Sequence, residues 1–367
     1  MGTVYKNGSF LRTGYTTGTC AAAASKAAAE MLLSGKAVTK TELTIPAGKT
    51  LLLEVEDIER TDLHVSCAVR KDGGDDSDVT HGLLVYADVR KSDSQGVHIT
   101  GGTGVGKVTK PGLDRPVGDY AINTVPRQMI TEAVTAVCEK YGFTGGMDVC
   151  IYIPDGERIA EMTYNPRLGI AGGISVIGTT GEVLPMSRKA FLDTVRIEMN
   201  MRRLAGETSA ILTLGNYGQA YLAKKNIPAK DESIKISNFI GEALDMAIES
   251  GFERVHIAGH IGKLVKLGAG IMNTHSAEAD GRIEILIYCA LMAGADNETL
   301  RLIADSVSTD SVLDILKEKE LLSPAMEILK ERTKLYISNR VKDRIKVDIT
   351  VFSNIHGTLY EIRDEGD

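Results

Sequence analysis

The chain has 367 residues, is 43% apolar and 25% charged, and carries 42 basic against 49 acidic side chains, a formal net charge of −7. This composition excludes a disordered chain, a collagen and a coiled coil, and the acidic balance argues against nucleic acid as the main partner because phosphate binding needs a basic surface. Small anionic substrates remain allowed, since they need only a local basic pocket.

The first part of the chain combines two long helices with extended segments. Thr16–Thr19 can cap an alanine-rich run that favours helix, and Ser34-Gly35 end that run. A second helix begins at Asn123 and ends at Gly142, with one apolar face. Runs rich in Val, Leu, Ile and Thr between turn residues predict strands at 41–45, 50–58, 63–70, 82–90, 96–100 and 148–153.

Beyond residue 165 the pattern changes to short apolar strands, each followed by a glycine turn and a helix. Such repetition is typical of a parallel sheet with crossover helices. We therefore predict an α+β domain over residues 1–165 and a mainly parallel, Rossmann-like α/β domain over residues 166–367. The expected strands of the second domain are 174–177, 210–214, 234–236, 254–258 and 346–352, and its expected helices lie at 187–204, 237–251, 282–294 and 297–341.

Five cysteines, none of them in a CxxC pair, are typical of reduced thiols in a cytoplasm. The amino-terminal sequence has no apolar stretch of signal-peptide length. No run of about 18 apolar residues is free of charge. We therefore expect a cytoplasmic protein that does not cross a membrane.

Gly101–Lys107 has the pattern GxxxxGK, which begins a phosphate-binding loop. The next position must be Ser or Thr to hold magnesium, but it is Val108, and Pro111 follows where a helix should begin. A small-molecule kinase is therefore the weakest interpretation. Two others stay open: a backbone cradle for another anion or a ring, with Lys107 and Lys110 beside it, and a hairpin without a ligand.

Three glycine turns follow three of the expected strands of the second domain, at Gly178–Gly181, Gly215–Gly218 and Gly259–Gly262. Ligands of open α/β sheets bind beyond the carboxyl ends of the strands, so the turns indicate a nucleotide-like or adenosyl ligand; ordinary tight turns are the alternative. The GxGxxG fingerprint is absent. An acid at the usual spacing, Glu198, falls inside an expected helix, which is the wrong place to bind a ribose.

The polar clusters leave their roles open. His256 and His260 do not share a helix face, and no HExxH motif occurs, so no protein-bound metal is predicted. The loop NTHSAEADGR, which contains His275 and Asp280, is either functional or a solvated connection. The segment KDGGDDSD at 71–78 is either a solvated turn or a source of acid–base groups.

Long and unusual motifs give the chain a family resemblance. The segments that carry it are LRTGYTTGTCAAAASKAA at 11–28, KDGGDDSDVTHG at 71–82, GTGVGKVTKPGLDRPVGDYAINTVPRQMI at 102–130, GISVIGTTGEVLPMS at 173–187, TLGNYG at 213–218, SNFIGEALDMA at 237–247 and GHIGKLVKLGAGIMNTHSAEADGR at 259–282. Together they closely resemble the CbiD family.

The resemblance implies a methyltransferase of anaerobic cobalamin biosynthesis. Its reaction would move a methyl group from S-adenosylmethionine to C1 of cobalt-precorrin-5B, giving cobalt-precorrin-6A and S-adenosylhomocysteine. The substrate would be an anionic tetrapyrrole, and cobalt would belong to that substrate. A non-catalytic carrier of tetrapyrrole intermediates is the alternative. A homo-oligomer and transient contacts with other enzymes of the pathway are left open.

Candidate site residues follow from the motifs and from the chemistry of this reaction. The substrate, with its many carboxylates, is expected in the cleft between the domains, where basic groups would bind it. For the proton released, we prefer an orienting role of the polar loop over a general base. The candidates are Gly178, Thr179, Thr180, Gly181, Gly215 and Asn216 for the cofactor, Arg12, Lys107, Lys110, Arg127, Lys263 and Lys266 for the substrate, and His275 and Asp280 for catalysis.

Overall fold

A computed structural model describes residues 2–6, 8–225 and 233–364. The chain divides into two compact units, Met1–Arg188 and Lys189–Asp367. This division lies beyond the boundary expected near residue 165, because short strands at Ile170–Ala171 and Gly173–Ile174 pair with strands of the first unit. Within the described ranges, no helix combines the length and apolar character needed to span a membrane.

The first unit contains three helices and fifteen strands among its described residues. In chain order they are β1 (Thr3–Lys6), β2 (Ser9–Arg12), β3 (Gly14–Tyr15), α1 (Thr17–Ser34), β4 (Lys40–Thr44), β5 (Thr50–Glu54), β6 (Glu56–Arg60), β7 (His64–Arg70), β8 (Leu84–Ser92), β9 (Val97–Gly101), β10 (Gly104–Val105), β11 (Lys107–Val108), α2 (Thr124–Lys140), β12 (Gly146–Tyr152), α3 (Gly156–Ala160), β13 (Ile170–Ala171), β14 (Gly173–Ile174) and β15 (Glu182–Val183).

A five-stranded sheet, β6-β7-β8-β12-β9, forms the centre of the first unit. Its pairings are antiparallel except for β12 with β9. Along β8, Val85, Ala87 and Val89 are fully buried, which is the alternation of a strand with one face on the core. Helix α1 packs against β7, β8 and α2.

Local sequence explains α1 well. Its alanines are completely buried, and alanine has the highest helix propensity. The Thr16 hydroxyl accepts a hydrogen bond from the Thr19 N–H at 3.2 Å, which caps the first turn. Gly35 ends the helix in the left-handed conformation with φ of 67°.

The segment expected as one strand at 50–58 is two strands in different sheets. β5 pairs with β4, whereas β6 pairs with β7. Only Val55 separates the two strands, and β6 is itself irregular, with a register shift between Glu56 and Glu59 and a φ of 48° at Asp57. A period-two pattern reports extended backbone, but it carries no information about the partner strand.

The second unit begins with α4 (Arg188–Leu204), a helix that starts at the division. It continues with β16 (Ser209–Thr213), α5 (Asn216–Lys224), β17 (Ser233–Lys235), α6 (Ile240–Glu249), β18 (Arg254–His260), α7 (Ile261–Leu264), a 3-10 helix (Val265–Ala269), α8 (Arg282–Met292), α9 (Asn297–Ala304), α10 (Thr309–Glu318), α11 (Leu322–Val341), β19 (Lys346–Ser353) and β20 (Gly357–Ile362). Its sheet has the order β17-β16-β18-β19-β20.

Three of the four pairings in this sheet are parallel, and β19–β20 is antiparallel. Leu212 and Ile257 on adjacent strands are fully buried, as are Leu244 of α6 and Leu329 of α11. The chain is therefore a mixed α/β protein with several sheets, which confirms the predicted fold class at that level.

The strand expected at 174–177 does not belong to the second sheet, so that expectation was wrong. Gly173–Ile174 pairs with Gly104–Val105 of the first unit, and Val176 forms a single parallel bridge with Ile122, also of the first unit. The Gly106 N–H also donates to the Ile174 carbonyl at 2.9 Å. Short apolar segments do not specify their partner strand, and the close approach of glycine backbones decided this one.

Candidate active site

The order of strands in the second sheet reverses beside β16. From β16 the chain moves outward to β17 and then returns across β16 to β18, β19 and β20, an order of 2-1-3-4-5 along the chain. In open α/β sheets ligands bind beyond the carboxyl ends of the strands at such a reversal. The crevice between the ends of β16 and β18 is therefore the candidate site.

Gly215 and His260 lie at the same level, at the carboxyl ends of adjacent strands. Thr213 of β16 pairs with Ala258 of β18, so the residues two positions further on each strand are Gly215 and His260. Gly215 has a φ of 142°, which favours glycine, and no atom lies within 4 Å of the position that a Cβ would take. This open space is suited to close approach of a ligand to the backbone.

Asn216 begins α5 directly after Gly215, and no side chain caps this helix. Its amide oxygen accepts a hydrogen bond from the Lys235 ammonium at 3.1 Å. Lys235 is the last residue of β17, the neighbouring strand. A positive charge and the uncapped start of a helix therefore lie beside Gly215.

The lysines that follow β18 bind the protein backbone. Lys263 donates to the Leu214 carbonyl at 3.2 Å, and burial lowers its pKa, with a further contribution from Lys266. Lys266 is 2% exposed and donates to the carbonyls of Thr274 and Ala279 at 3.2 and 2.7 Å. Lys266 therefore holds the polar loop in place, and its ammonium is engaged within the protein.

In the polar loop, the side chain of His275 is exposed, whereas that of Asp280 is paired with Arg282. The His275 Nδ1 accepts from the Ala277 N–H at 3.1 Å. Asp280 receives two hydrogen bonds from Arg282 at 2.5 and 2.8 Å, and the first cause of its lowered pKa is this bond. An ionised, paired carboxylate is a weak proton acceptor, so Asp280 fits an orienting role better than that of a base.

A cavity of about 360 Å³ opens beside this loop. It is lined by Asp280, Arg282, Ile283, Glu284, Ile287, Ala304, Val307, Ser308 and Thr309. Thr309 begins α10, and its hydroxyl is 3.5 Å from the place that a Cβ on Gly262 would take. The cavity therefore adjoins the turn that follows β18.

His260 and Asp310 are polar groups of this edge that sequence analysis did not assign. The His260 Nδ1 accepts from the Gly262 N–H at 3.1 Å and so caps α7, while burial lowers the pKa of the ring. Asp310, in the first turn of α10, accepts from the Ser353 hydroxyl at 2.7 Å. The signal for His260 in the sequence is its place in the Gly259–Gly262 turn, whereas nothing local marks Asp310.

The partial burial of two histidines predicts a loss of stability on acidification. Burial lowers the pKa of His256 and of His260 below 6.5, their ordinary value. As pH falls through about 6.5, these histidines therefore take up protons in the unfolded chain before they do so in the native chain. The free energy of unfolding decreases from that pH down to the lowered native pKa values. The decrease is at most about 1.4 kcal/mol per pH unit for each proton.

His256→Gln tests this pH dependence. The His256 ring bonds the Thr350 hydroxyl at 2.8 Å, a contact that an amide can also make. We expect the melting temperature of the variant to fall less than that of the native chain between about pH 7.5 and 5.5. An identical fall in both would contradict the assignment.

The predicted cofactor turn at Gly178–Gly181 lies in the first unit, where it covers the beginning of α1. The Ile177 carbonyl accepts from the Gly18 N–H at 3.0 Å, and the Gly181 carbonyl accepts from the Thr19 hydroxyl at 2.7 Å. A Cβ on Gly178 would overlap the side chain of Thr16. These glycines are thus explained by packing, whereas Thr179 and Thr180 are exposed.

Gly101–Lys107 does not form a phosphate-binding loop. It contains the end of β9, then β10 and the start of β11, and no helix follows it directly. The N–H groups of Gly102, Val105 and Gly106 donate to backbone carbonyls at 2.7, 3.2 and 2.9 Å. Their engagement disfavours both the kinase and the backbone cradle and favours a structural role for the glycines.

The basic candidates of the first unit differ in their surroundings. Lys107 is exposed and lies 4.9 Å from the centre of the Tyr120 ring, and Lys110 is also exposed. Arg127 donates to the carbonyls of Ile122 and Ile99 at 2.9 and 3.1 Å, and Arg12 pairs with Asp72. Lys107 and Lys110 are therefore the ones whose charges face solvent.

The carboxylates at 71–78 bind protein groups. Asp78 pairs with the buried Lys71 at 2.5 Å, Asp75 accepts from the Arg12 N–H at 2.6 Å, and Asp76 accepts from the Met186 N–H at 2.8 Å. These contacts favour a structural loop over an acid–base pair. Over the described residues, no group of three or more His, Cys, Asp or Glu side chains could hold a metal ion.

Comparison with known families identifies the chain. The CbiD family model matches residues 4–185, and the model of the CbiD C-terminal domain matches residues 273–362. A relative from Ruminiclostridium cellulolyticum is 42% identical over 98% of this chain and 93% of its own length. The chain belongs to the CbiD family. The family expected from the motifs is thereby confirmed.

Two relatives carry the same name. The Ruminiclostridium cellulolyticum relative is named cobalt-precorrin-5B C(1)-methyltransferase. A relative from Thermoanaerobacter, which is 41% identical over 96% of each chain, has the same name. A solved structure of the cobalamin biosynthesis protein (cbiD) of Archaeoglobus fulgidus is 29% identical, covers 76% of this chain and 87% of that chain, and has a TM-score of 0.39.

Proposed function

We propose that this CbiD protein transfers a methyl group to C1 of cobalt-precorrin-5B, giving cobalt-precorrin-6A in anaerobic cobalamin biosynthesis. The observation that carries the proposal is identity above 40% over nearly the whole chain with relatives that bear this name. The methyl donor is S-adenosylmethionine, and cobalt enters as part of the substrate.

The second unit acts as a Rossmann-like donor-binding unit in this proposal. The reversal of strand order between β16 and β18 supports it, because ligands of such sheets bind there. The open position beside Gly215 fits a ligand close to the backbone, and a carboxylate is favoured near the start of α5 and Lys235. Binding of the methyl donor by Gly178–Gly181 remains an untested prediction from the sequence.

When bound, S-adenosylmethionine supplies a methyl group on an electrophilic sulfonium sulfur. The chain's residues then serve alignment more than strong base catalysis, since displacement needs a near-attack geometry. Gly215 and Asn216 would hold the donor, and Lys266 would keep the loop of His275 and Asp280 in position.

The substrate carboxylates need cations. Lys107 and Lys110 present exposed ammonium groups and are the proposed contacts in the first unit. Because exposed ion pairs contribute only about 0–1 kcal/mol, each alone has a modest effect. Four other basic candidates already bind protein groups, so we assign them a structural role and not a contact with the substrate: Lys263, Lys266, Arg12 and Arg127.

The test is a reaction of the purified chain with cobalt-precorrin-5B and methyl-labelled S-adenosylmethionine. We expect a tetrapyrrole with one added labelled methyl group, together with an equal amount of S-adenosylhomocysteine. A non-catalytic carrier would bind the tetrapyrrole without transfer of label. Binding without transfer, under conditions in which a relative reacts, would overturn the proposal.

His275→Gln is expected to retain most of the methyl-transfer rate. His275 is exposed and its Nδ1 bonds within the loop, which fits orientation of the substrate. A general base would instead contribute about 10²–10⁴-fold. Single-turnover rates at saturating ligands distinguish the two, with exposed His98→Gln as the control. A loss of about 10²-fold with intact binding would assign His275 as the base.

A further inference from the structure

Asp310 offers a fixed hydrogen-bond acceptor at the edge of the second sheet. The Ser353 hydroxyl, which belongs to a residue only 1% exposed, donates to its Oδ1 at 2.7 Å and so fixes the carboxylate. The second oxygen, Oδ2, lies 4.0 Å from the His260 Nε2. The side chains of Asp310 and His260 keep 30% and 21% of their exposure, so a ligand can reach both.

The neighbouring His260 offers a donor. Its Nδ1 accepts from the Gly262 N–H, so the proton of the neutral ring lies on Nε2, the atom that faces Asp310. Burial lowers the pKa of His260, which favours the neutral ring. The edge of the Phe352 ring packs against the imidazole, with 5.8 Å between the ring centres, and helps to fix its orientation.

A separation of 4.0 Å is too long for a direct hydrogen bond. A donor and an acceptor that far apart can both bind one hydroxyl group, which accepts from the first and donates to the second. A pair of adjacent hydroxyl groups fits better still, because a carboxylate oxygen can accept from both. The arrangement is complementary to a vicinal diol.

We propose that Asp310 and His260 bind the ribose hydroxyl groups of the methyl donor; this rests on the proposed function. His260 lies at the same level as Gly215 on the adjacent strand, so the ribose would lie beside the proposed backbone contact. Thr309, the residue before Asp310, lines the 360 Å³ cavity, so open space adjoins the proposed ribose contact.

The assignment also explains how the ribose could be bound although no acidic residue follows the second strand of this sheet, where Rossmann sheets usually have one. Rossmann sheets bind the ribose with an acid at the end of the second strand. In this sheet the corresponding strand, β17, is followed by Ile236, Ser237 and Asn238. Asp310 supplies a carboxylate at the same edge from a helix much further along the chain.

The experiment measures binding of S-adenosylhomocysteine and of its 2′,3′-dideoxy analogue by calorimetry. Asp310→Asn keeps an oxygen for Ser353 but presents N–H groups to the ribose. We expect it to bind S-adenosylhomocysteine about 10- to 100-fold more weakly, since the lost bonds involve a charged acceptor. The native preference for the intact ribose should largely disappear in this variant.

Two further variants keep the test decisive. His260→Asn retains a good helix cap but loses the ring donor, and should weaken binding about three- to tenfold. Asp314→Asn removes the same charge from the same helix at a 66% exposed side chain and should bind like the native chain.

The outcomes separate this inference from the proposed function. Native-like affinity of both site variants, or an equal loss of affinity for both ligands, overturns the ribose assignment while methyl transfer by the native chain still supports the proposed function. A native chain that binds neither ligand overturns both.

Discussion

Replacing Gly104 with alanine is expected to lower the free energy of unfolding by about 3–5 kcal/mol. Gly104 has a φ of 72°, and a Cβ there would overlap the carbonyl oxygen of Ile153. Relief requires movement of backbone that is itself paired, because the Ile153 N–H donates to the Thr103 carbonyl at 2.8 Å. Urea denaturation of the purified chain measures the change.

Gly172→Ala is the matched control for Gly104. Gly172 has nearly the same φ, 76°, but no atom lies within 4 Å of its missing Cβ. The control should therefore cost only the backbone strain, about 1–2 kcal/mol. Equal destabilisation by the two variants would contradict the packing role of Gly104, and native stability of Gly104→Ala would return the segment to the ligand-binding interpretations.

Replacing Gly215 with valine is expected to weaken donor binding at least tenfold, about 1.4 kcal/mol. The side chain would occupy the open space at the end of β16 and would force a residue with φ of 142° into an unfavourable conformation. That strain costs roughly 1–3 kcal/mol, so the measurement is calorimetric affinity for S-adenosylhomocysteine in a variant whose folding has been verified.

Gly206→Val separates strain from loss of the ligand site. Gly206 belongs to the same unit, has a φ of 91°, and also has no atom within 4 Å of its missing Cβ. It precedes β16, at the opposite end of that strand from Gly215. We expect its affinity to match that of the native chain. Unchanged affinity in folded Gly215→Val would move the donor site elsewhere.

Glycine patterns alone do not distinguish a turn that binds a ligand from a turn required by packing. Gly101–Lys107 resembles a phosphate loop, yet the N–H groups of Gly102, Val105 and Gly106 donate to backbone carbonyls. Gly178–Gly181 resembles a cofactor turn, yet it packs on the start of α1. Gly215 alone among these combines positive φ with open space beside a strand end. In a sequence, a glycine required by a ligand and one required by neighbouring backbone are identical.

The amino-acid sequence by itself determined α1 with its cap and the alternation of strands and helices in the second unit. The alanine run, Thr16 and Gly35 define α1, because capping and helix propensity act over a few residues. The motifs also identified the family, because their residues and their order along the chain can be recognised without any knowledge of contacts.

Only the tertiary structure decided which strands share a sheet, which cations are engaged and which acid lies beside His260. Ile174 pairs in the first unit, Lys266 is buried against carbonyls, and Asp310 meets His260 across 50 residues of sequence. Strand pairing, desolvation and the meeting of distant side chains depend on long-range packing, which no local pattern of residue types records.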